Sequence, residues 1–181
     1  MTLLRGVGWI LVKVDPLHGI PSKASYLFQN RYTHTAQFTK LHLWTFERYR
    51  HIIYLDSDML VVKDLLRVVS GFNTTANLLG VAGNNDMFNA GFLYITPSKG
   101  EFDQMRRVDL SMKYDEELQE QAFLNVYWKN RTVIMPAEVD EFINGLSDEC
   151  VVMHFIGQLK PWWTIRESVF GMGFIPGSYI R

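Results

Sequence analysis

The stretch Ile52-Ile53-Tyr54-Leu55-Asp56-Ser57-Asp58-Met59-Leu60-Val61-Val62 constrains the chain most. An apolar, β-branched run enters two carboxylates separated by one residue, and a second apolar run leaves them. Consecutive rather than alternating hydrophobic residues predict a buried strand. In open α/β sheets ligands gather at the carboxyl ends of strands. Asp56 and Asp58 stand at such an end, and in extended backbone their side chains share a face. Two hard oxygen donors on one face suit Mg²⁺ or Mn²⁺ shared with phosphate oxygens. The alternative is a strand that ends in a solvated Asp-Ser-Asp turn, and the pair alone does not separate the two.

With 181 residues the chain is long enough for one domain with a real core. Hydrophobic residues at 48% and aromatics at 14% exclude a disordered chain. A net charge of −1 gives no electrostatic basis for binding nucleic acid or an anionic membrane. The single cysteine, Cys150, excludes an internal disulfide framework and a multi-cysteine metal site. Leu3 to Val14 is too short and too broken by charge to span a bilayer, and makes a poor signal peptide. Asn73-Thr74-Thr75 and Asn130-Arg131-Thr132 match the glycosylation acceptor pattern, so both the cytoplasm and the Golgi lumen stay open.

Along the chain, Gly8 to Asp15 is expected as a strand, followed by a Pro/Gly loop. Residues 23–32 show no period. Thr35 is expected to cap a helix over Ala36–Tyr49, with Phe38, Leu41 and Trp44 on its buried side. Lys40 lies beside that stripe, where the plain expectation is a solvated charge. Strand–helix–strand order predicts a parallel α/β sheet. Further elements are expected at Lys63–Val69 (helix), Leu78–Ala82 (strand), Met87–Ile95 (strand), Glu101–Met112 (helix), Leu118–Trp128 (helix), Thr132–Met135 (strand) and Cys150–Phe155 (strand). The intervening residues 83–86 read as a turn, and Pro136–Asn144 as a polar loop containing Glu138, Asp140 and Glu141. Gly91 permits a close approach by a backbone or a ligand. Glu120, in the first turn of its helix, is also explained by the helix dipole.

His154 is followed closely by Gly157 and Lys160. A glycine lets backbone approach a phosphate, and a lysine supplies a point charge for one. Two aspartates, a late histidine and a Gly/Lys loop together make three metal ligands and a phosphate clamp. That combination is far more specific than any one part.

The motifs, in order, are Phe38-Thr39-Lys40-Leu41-His42-Leu43-Trp44, Tyr54-Leu55-Asp56-Ser57-Asp58, Phe88-Asn89-Ala90-Gly91-Phe92, Glu120-Gln121-Ala122-Phe123-Leu124-Asn125 and His154 through Trp162. In these the chain resembles glycosyltransferase family 8, the group of glycogenins and galactinol synthases, from about residue 33 to about residue 163. The resemblance implies a GT-A fold, an α/β domain with a mostly parallel central sheet flanked by helices. It implies a retaining transferase that moves a hexosyl group from a UDP-sugar with Mn²⁺ or Mg²⁺. It implies Asp56, Asp58 and His154 at the metal and Gly157 and Lys160 at the diphosphate. Asn89, Ala90 and Gly91 would line the sugar pocket, with Lys40, Glu120 and Gln121 near the reacting sugar. The implied partners are the nucleotide-sugar donor and a carbohydrate, polyol or protein acceptor, and a homodimer is left open.

Two departures from the family stand out. Glu120 stands where glycogenin-like members carry Asp, and the local sequence looks more like the galactinol synthase version. The opening strand and helix of the family have no counterpart, so the chain is expected to be N-terminally incomplete. Two other readings remain at this level. One is a haloacid-dehalogenase-type phosphatase with Asp56 as nucleophile and Asp58 as general acid. The other is an inert chain that binds metal or nucleotide, or offers only a partner surface.

Overall fold

The computed structural model describes residues 2–17, 37–71, 78–82, 87–108, 112–115, 118–156 and 160. The Thr35 cap, residues 23–32, the turn at 83–86, the Asn73 acceptor, Gly157 and the aromatic residues from Pro161 onward lie outside these. Four α-helices are described: α1 (Thr2–Gly6), α2 (Leu65–Ser70), α3 (Lys99–Val108) and α4 (Gln119–Tyr127). Among the described residues no helix is long and apolar enough to cross a membrane.

The strands are β1 (Ile52–Leu55), β2 (Met59–Val61), β3 (Leu78–Ala82), β4 (Phe88–Ile95), β5 (Thr132–Met135), β6 (Glu141–Phe142) and β7 (Val152–His154). One sheet has the order β1-β4-β3-β5 and a second has β2-β7-β6. The apolar run around the two aspartates is therefore not one strand. It is cut at Asp56–Asp58, and its halves enter different sheets.

The mixed α/β character matches the sequence-based expectation, and among the described strands of the four-stranded sheet β1, β3 and β5 run in one direction while β4 is reversed between them. β4 runs antiparallel to both β1 and β3, and β2 runs antiparallel to β7; only β3–β5 and β6–β7 are parallel. Strand–helix–strand order fixes that a crossover exists but not which neighbour a strand meets, and β4 enters between β1 and β3 in the opposite direction. The strand expected at Gly8–Asp15 is also absent. Trp9, Ile10 and Val12 are exposed. This segment is tied instead to the helix over Gln37–Thr45: the Leu17 amide donates to Thr39 Oγ1 at 2.9 Å, and His42 Nε2 meets the Asp15 carbonyl at 2.9 Å. Without a strand beside it to complete a ladder, the apolar alternation has nothing to pair with.

The helix expected over Ala36–Tyr49 is a 3₁₀ helix confined to Gln37–Thr45. Its three buried residues, Phe38, Leu41 and Trp44, recur every third position. A period of three keeps one face eclipsed in a 3₁₀ helix and drifts around an α-helix. The rest of the core divides across β4. Leu93 and Ile95 pack with the 3₁₀ helix, α3 and α4, where Trp44 stacks on Trp128 at a centroid distance of 6.0 Å. Phe92 and Tyr94, on the opposite face, pack with α2, β5 and β7.

Between these halves β4 changes register. Gly80 pairs with Leu93, but Val81 pairs with Asn89, so Ala90, Gly91 and Phe92 bulge away from β3. Two helical amides pin the bulge. Asn125 Oδ1 accepts the Phe88 amide at 2.9 Å and its Nδ2 donates to the Phe88 carbonyl at 3.0 Å, while Gln121 Oε1 accepts the Ala90 amide at 3.0 Å.

Trp44 has no exposed surface, and its removal leaves the Trp128 face open. Trp44→Ala should therefore destabilise the fold by about 3–5 kcal/mol, measured by urea unfolding.

Candidate metal and donor site

The cut between β1 and β2 builds the site. β2 lies antiparallel to β7 with Met59 opposite His154, and the Phe155 amide donates to the Asp58 carbonyl at 2.9 Å. This ladder carries His154 to the aspartates from far along the chain. One ligand atom each from Asp56, Asp58 and His154 falls within 4.8 Å of the others. Ligands bonded to one ion at about 2.0–2.3 Å stand at most ~4.6 Å apart. Two carboxylates and an imidazole, already gathered to nearly that span, fit a small divalent cation.

Asp58 is the most strongly held of the three. Lys160 Nζ donates to Asp58 Oδ2 and to the Phe155 carbonyl, and His154 Nε2 lies 3.6 Å from Asp58 Oδ1. Burial alone would raise the Asp58 carboxyl, but the hydrogen bond and charge of Lys160, with the charge of His154, hold it below the usual carboxylate range. Asp56 faces the other way. It accepts from the Tyr54 hydroxyl at 2.5 Å and lies 3.4 Å from Lys40 Nζ. Burial, then the charge of Asp56 and its hydrogen bond, push the Tyr54 phenol up, so Tyr54 stays a donor to Asp56.

Lys40 is not the solvated helix charge that a lone lysine suggests: its side chain is 7% exposed. Its ammonium donates to Glu120 Oε1 at 2.9 Å and to the Ala90 carbonyl at 2.9 Å, and lies 4.9 Å above the Tyr54 ring. Glu120, in the first turn of α4 as expected, is also buried, and its Oε2 has no hydrogen-bond partner among the described residues. Lys40, Tyr54, Asp56 and Glu120 form one wall of a cleft of about 420 Å³, with Thr39 and His42 beside them. Asp56 thus belongs to both the cleft and the cation cluster.

The bulge of β4 sits between these groups. The Gly91 amide donates to Asn89 Oδ1 at 2.7 Å, and the Asp56 amide donates to the Gly91 carbonyl at 2.9 Å. A Cβ on Gly91 would stand 2.6 Å from Met59 Cε and 2.9 Å from His154 Cε1. The close approach at Gly91 is made by two side chains, Met59 and the His154 ring, rather than by a backbone. Of the residues singled out in the sequence, Asp56, Asp58, His154 and Lys160 meet at the cation cluster. Lys40, Glu120, Gln121, Asn89, Ala90 and Gly91 are joined to it by hydrogen bonds or contact, and Gly157 lies outside the described residues. Sequence reasoning missed Tyr54, Asn125 and Asp140. Tyr54 stands two residues before Asp56 and Asn125 four after Gln121, spacings that carried the information. Asp140 read only as one acid in a polar loop.

A GT-A architecture is the class that fold and site define. Over 72% of this chain it superposes, with a TM-score of 0.57 and 24% identity, on 40% of the glycosyltransferase GlyE of Streptococcus pneumoniae TIGR4. Over 80% of the chain it superposes, with a TM-score of 0.55 and 17% identity, on 70% of the galactosyltransferase LgtC, solved with donor and acceptor sugar analogues. Residues 10–166 match the model of glycosyl transferase family 8, and the chain belongs to that family. It is 24% identical over 162 residues to glycogenin of Neurospora crassa, covering 82% of this chain and 23% of that protein. It is 28% identical to inositol phosphorylceramide glucuronosyltransferase 1 of Arabidopsis thaliana, covering 90% of this chain and 34% of that protein. The chain thus spans about a quarter to a third of the length of these curated relatives. Family membership sets aside the phosphatase reading.

Two outcomes follow from this geometry. Met59 can swing its terminal methyl aside, but the His154 ring is held by its strand. Gly91→Ala should therefore displace the His154 ring and lower the uptake of a probe divalent cation about tenfold or more in a calorimetric titration, while unfolding shifts by no more than about 1–3 kcal/mol. The second concerns pH. The folded value of Asp58 lies below its unfolded value of about 3.9, so the Lys160 pair contributes stability that is fully present above the unfolded value. That stability is lost as pH falls through the folded value. Unfolding curves of wild type and Asp58→Asn should therefore converge, the wild type losing ground as pH drops from about 5 towards 2.

Proposed function

We propose that this chain is the donor-binding part of a retaining glycosyltransferase that moves a hexosyl group from a UDP-sugar to an acceptor hydroxyl with the help of Mn²⁺. The observation that carries this reading is the convergence of Asp56, Asp58 and His154 beside a lysine, Lys160, and a cleft. A divalent cation held by those three would neutralise the charge that grows on the leaving diphosphate. In the transfer, the anomeric carbon breaks its bond to the diphosphate oxygen and bonds the acceptor oxygen on the same face. The acceptor's proton leaves with the diphosphate.

The remaining work falls to the chain itself. Lys160 supplies a compact positive charge at the diphosphate. Lys40 and Glu120, buried against each other at 2.9 Å, present a fixed dipole to the hexosyl group in the cleft. Gln121 has committed its Oε1 to the Ala90 amide, so its Nε2 serves the sugar. On this reading Asn89, Ala90 and Gly91, in the β4 bulge beside Lys40 and Gln121, would line the sugar pocket. The acceptor is a carbohydrate, a polyol or a protein; a homodimer would be one assembly for the last of these. Glu120 in place of Asp looks more like the galactinol synthase version, which weakens a glycogenin-type self-glucosylation.

Lys160 supplies the test. It engages Asp58, so its loss has opposite effects on cation and nucleotide. Lys160→Ala should weaken UDP binding at saturating Mn²⁺ by roughly 1.5–3 kcal/mol, the range for a hydrogen bond to a charged group. Mn²⁺ alone should bind no worse, because Asp58 is released. Calorimetry at fixed ionic strength measures both. Equal UDP affinities in the two proteins would remove Lys160 from the diphosphate. Full transfer activity in Asp58→Asn would remove the cation site.

A further inference from the structure

Behind His154 lies a carboxylate that the proposed reaction does not use. Asp140 follows the 3₁₀ turn Ala137–Val139 and precedes β6, where Phe142 pairs with His154 across the parallel ladder. Its amide donates to the Ala137 carbonyl at 3.1 Å, and the neighbouring Glu138 carbonyl accepts the Val151 amide at 2.9 Å, so the backbone is fixed against the start of β7. The Asp140 side chain has no exposed surface. Neither carboxylate oxygen has a hydrogen-bond partner among the described residues, and the same holds for His154 Nδ1. These orphaned groups face each other, with Asp140 Oδ1 3.5 Å from His154 Nδ1.

Leaving a buried carboxylate without hydrogen bonds is costly, and His154 Nδ1 is the donor that stands beside it. A ring nitrogen and a carboxylate at this distance need close by only about 0.6–0.8 Å to reach charge-assisted geometry. On the opposite edge of the same ring, Nε2 points at Asp58 from 3.6 Å. The Phe142 ring meets the imidazole at 62° and a centroid distance of 5.5 Å, limiting its rotation. A carboxylate, an imidazole and a second carboxylate thus form a line that runs from the interior to the candidate cation site.

We propose that Asp140 is the positioning residue for His154: it accepts the Nδ1 hydrogen from the buried side and so holds the ring in the tautomer and rotation that leave Nε2 free toward Asp58. Imidazole ligands commonly give their second nitrogen to such a partner, which fixes orientation and raises ligand basicity. The inference rests on the cation reading of Asp56, Asp58 and His154 for its purpose, though not for its geometry.

The experiment uses the whole chain labelled with ¹⁵N-histidine, with long-range ¹H–¹⁵N spectra recorded at about pH 8.5, where imidazoles are neutral. His154→Gln assigns the signal. The metal-free wild type should show His154 with its hydrogen on Nδ1. Asp140→Asn, whose amide oxygen still accepts, should keep that tautomer without loss of thermal stability. Asp140→Ala should shift the population toward Nε2–H and lower Mn²⁺ affinity about 10–100-fold by calorimetry. A wild-type ring with its hydrogen on Nε2 overturns the proposal, even if the alanine variant does not fold. So does an alanine variant with unchanged tautomer and unchanged Mn²⁺ affinity. If the tautomer responds as expected while wild type takes up no Mn²⁺, the cation reading fails and the orienting role of Asp140 stands.

Discussion

The structure depends on how it satisfies one interruption of a ladder. Where β4 bulges at Ala90–Phe92, backbone groups that β3 would have paired are released inside the protein, and buried peptide groups must find partners. Each partner found comes from the site. Gln121 takes the Ala90 amide and Lys40 the Ala90 carbonyl; on the β1 edge the Asp56 amide continues the ladder to the Gly91 carbonyl, while Asn89 takes the Gly91 amide. The bulge therefore does not merely lie next to the functional groups. Its hydrogen-bonding demand fixes Lys40 and Gln121 in place, and its missing β-carbon at Gly91 makes room for His154.

Polar burial on the cleft side follows the same logic. Lys40 is desolvated, and a desolvated ammonium needs compensation. It finds a carbonyl, a carboxylate at 2.9 Å and a second carboxylate at 3.4 Å, with the face of Tyr54 below. Removing any one partner leaves the others with uncompensated charge, which makes this group specific rather than strong. Tyr54 contributes twice, through its ring to Lys40 and through its hydroxyl to Asp56.

Much of this was legible in the residues. The β1 run, the β3 and β5 spans and the Asp–Asp–His set are local or motif-borne, and the spacing of Phe38, Leu41 and Trp44 even encoded the 3₁₀ period. Direction of pairing was not legible, because an apolar strand carries no mark of which neighbour it will meet; hence the antiparallel β4 in a chain expected to be mostly parallel. The Gly8–Asp15 segment has the composition of a strand, but a strand needs an edge to join as well as a composition. Asp140 escaped for a different reason. A carboxylate flanked by Glu138 and Glu141 looks like one more solvated acid, and only the parallel pairing of β6 with β7 turns it inward behind His154.

The strand break at Asp56–Asp58 has a consequence for ion choice. Asp56 rides on the first sheet, while Asp58 and His154 ride on the second, and the two sheets are wedged apart by a shared apolar filling in which Phe92 and Tyr94 meet Val151 and Val152. The jaws that would grip a cation are thus the ends of two separate levers with a common fulcrum. Were the cluster to take a cation as proposed, changing the volume of that filling would alter the splay of the levers and with it the width of the grip. Small and large divalent ions demand different widths, so preference among them would be tunable from the hydrophobic interior, with each of the three ligands left as it is.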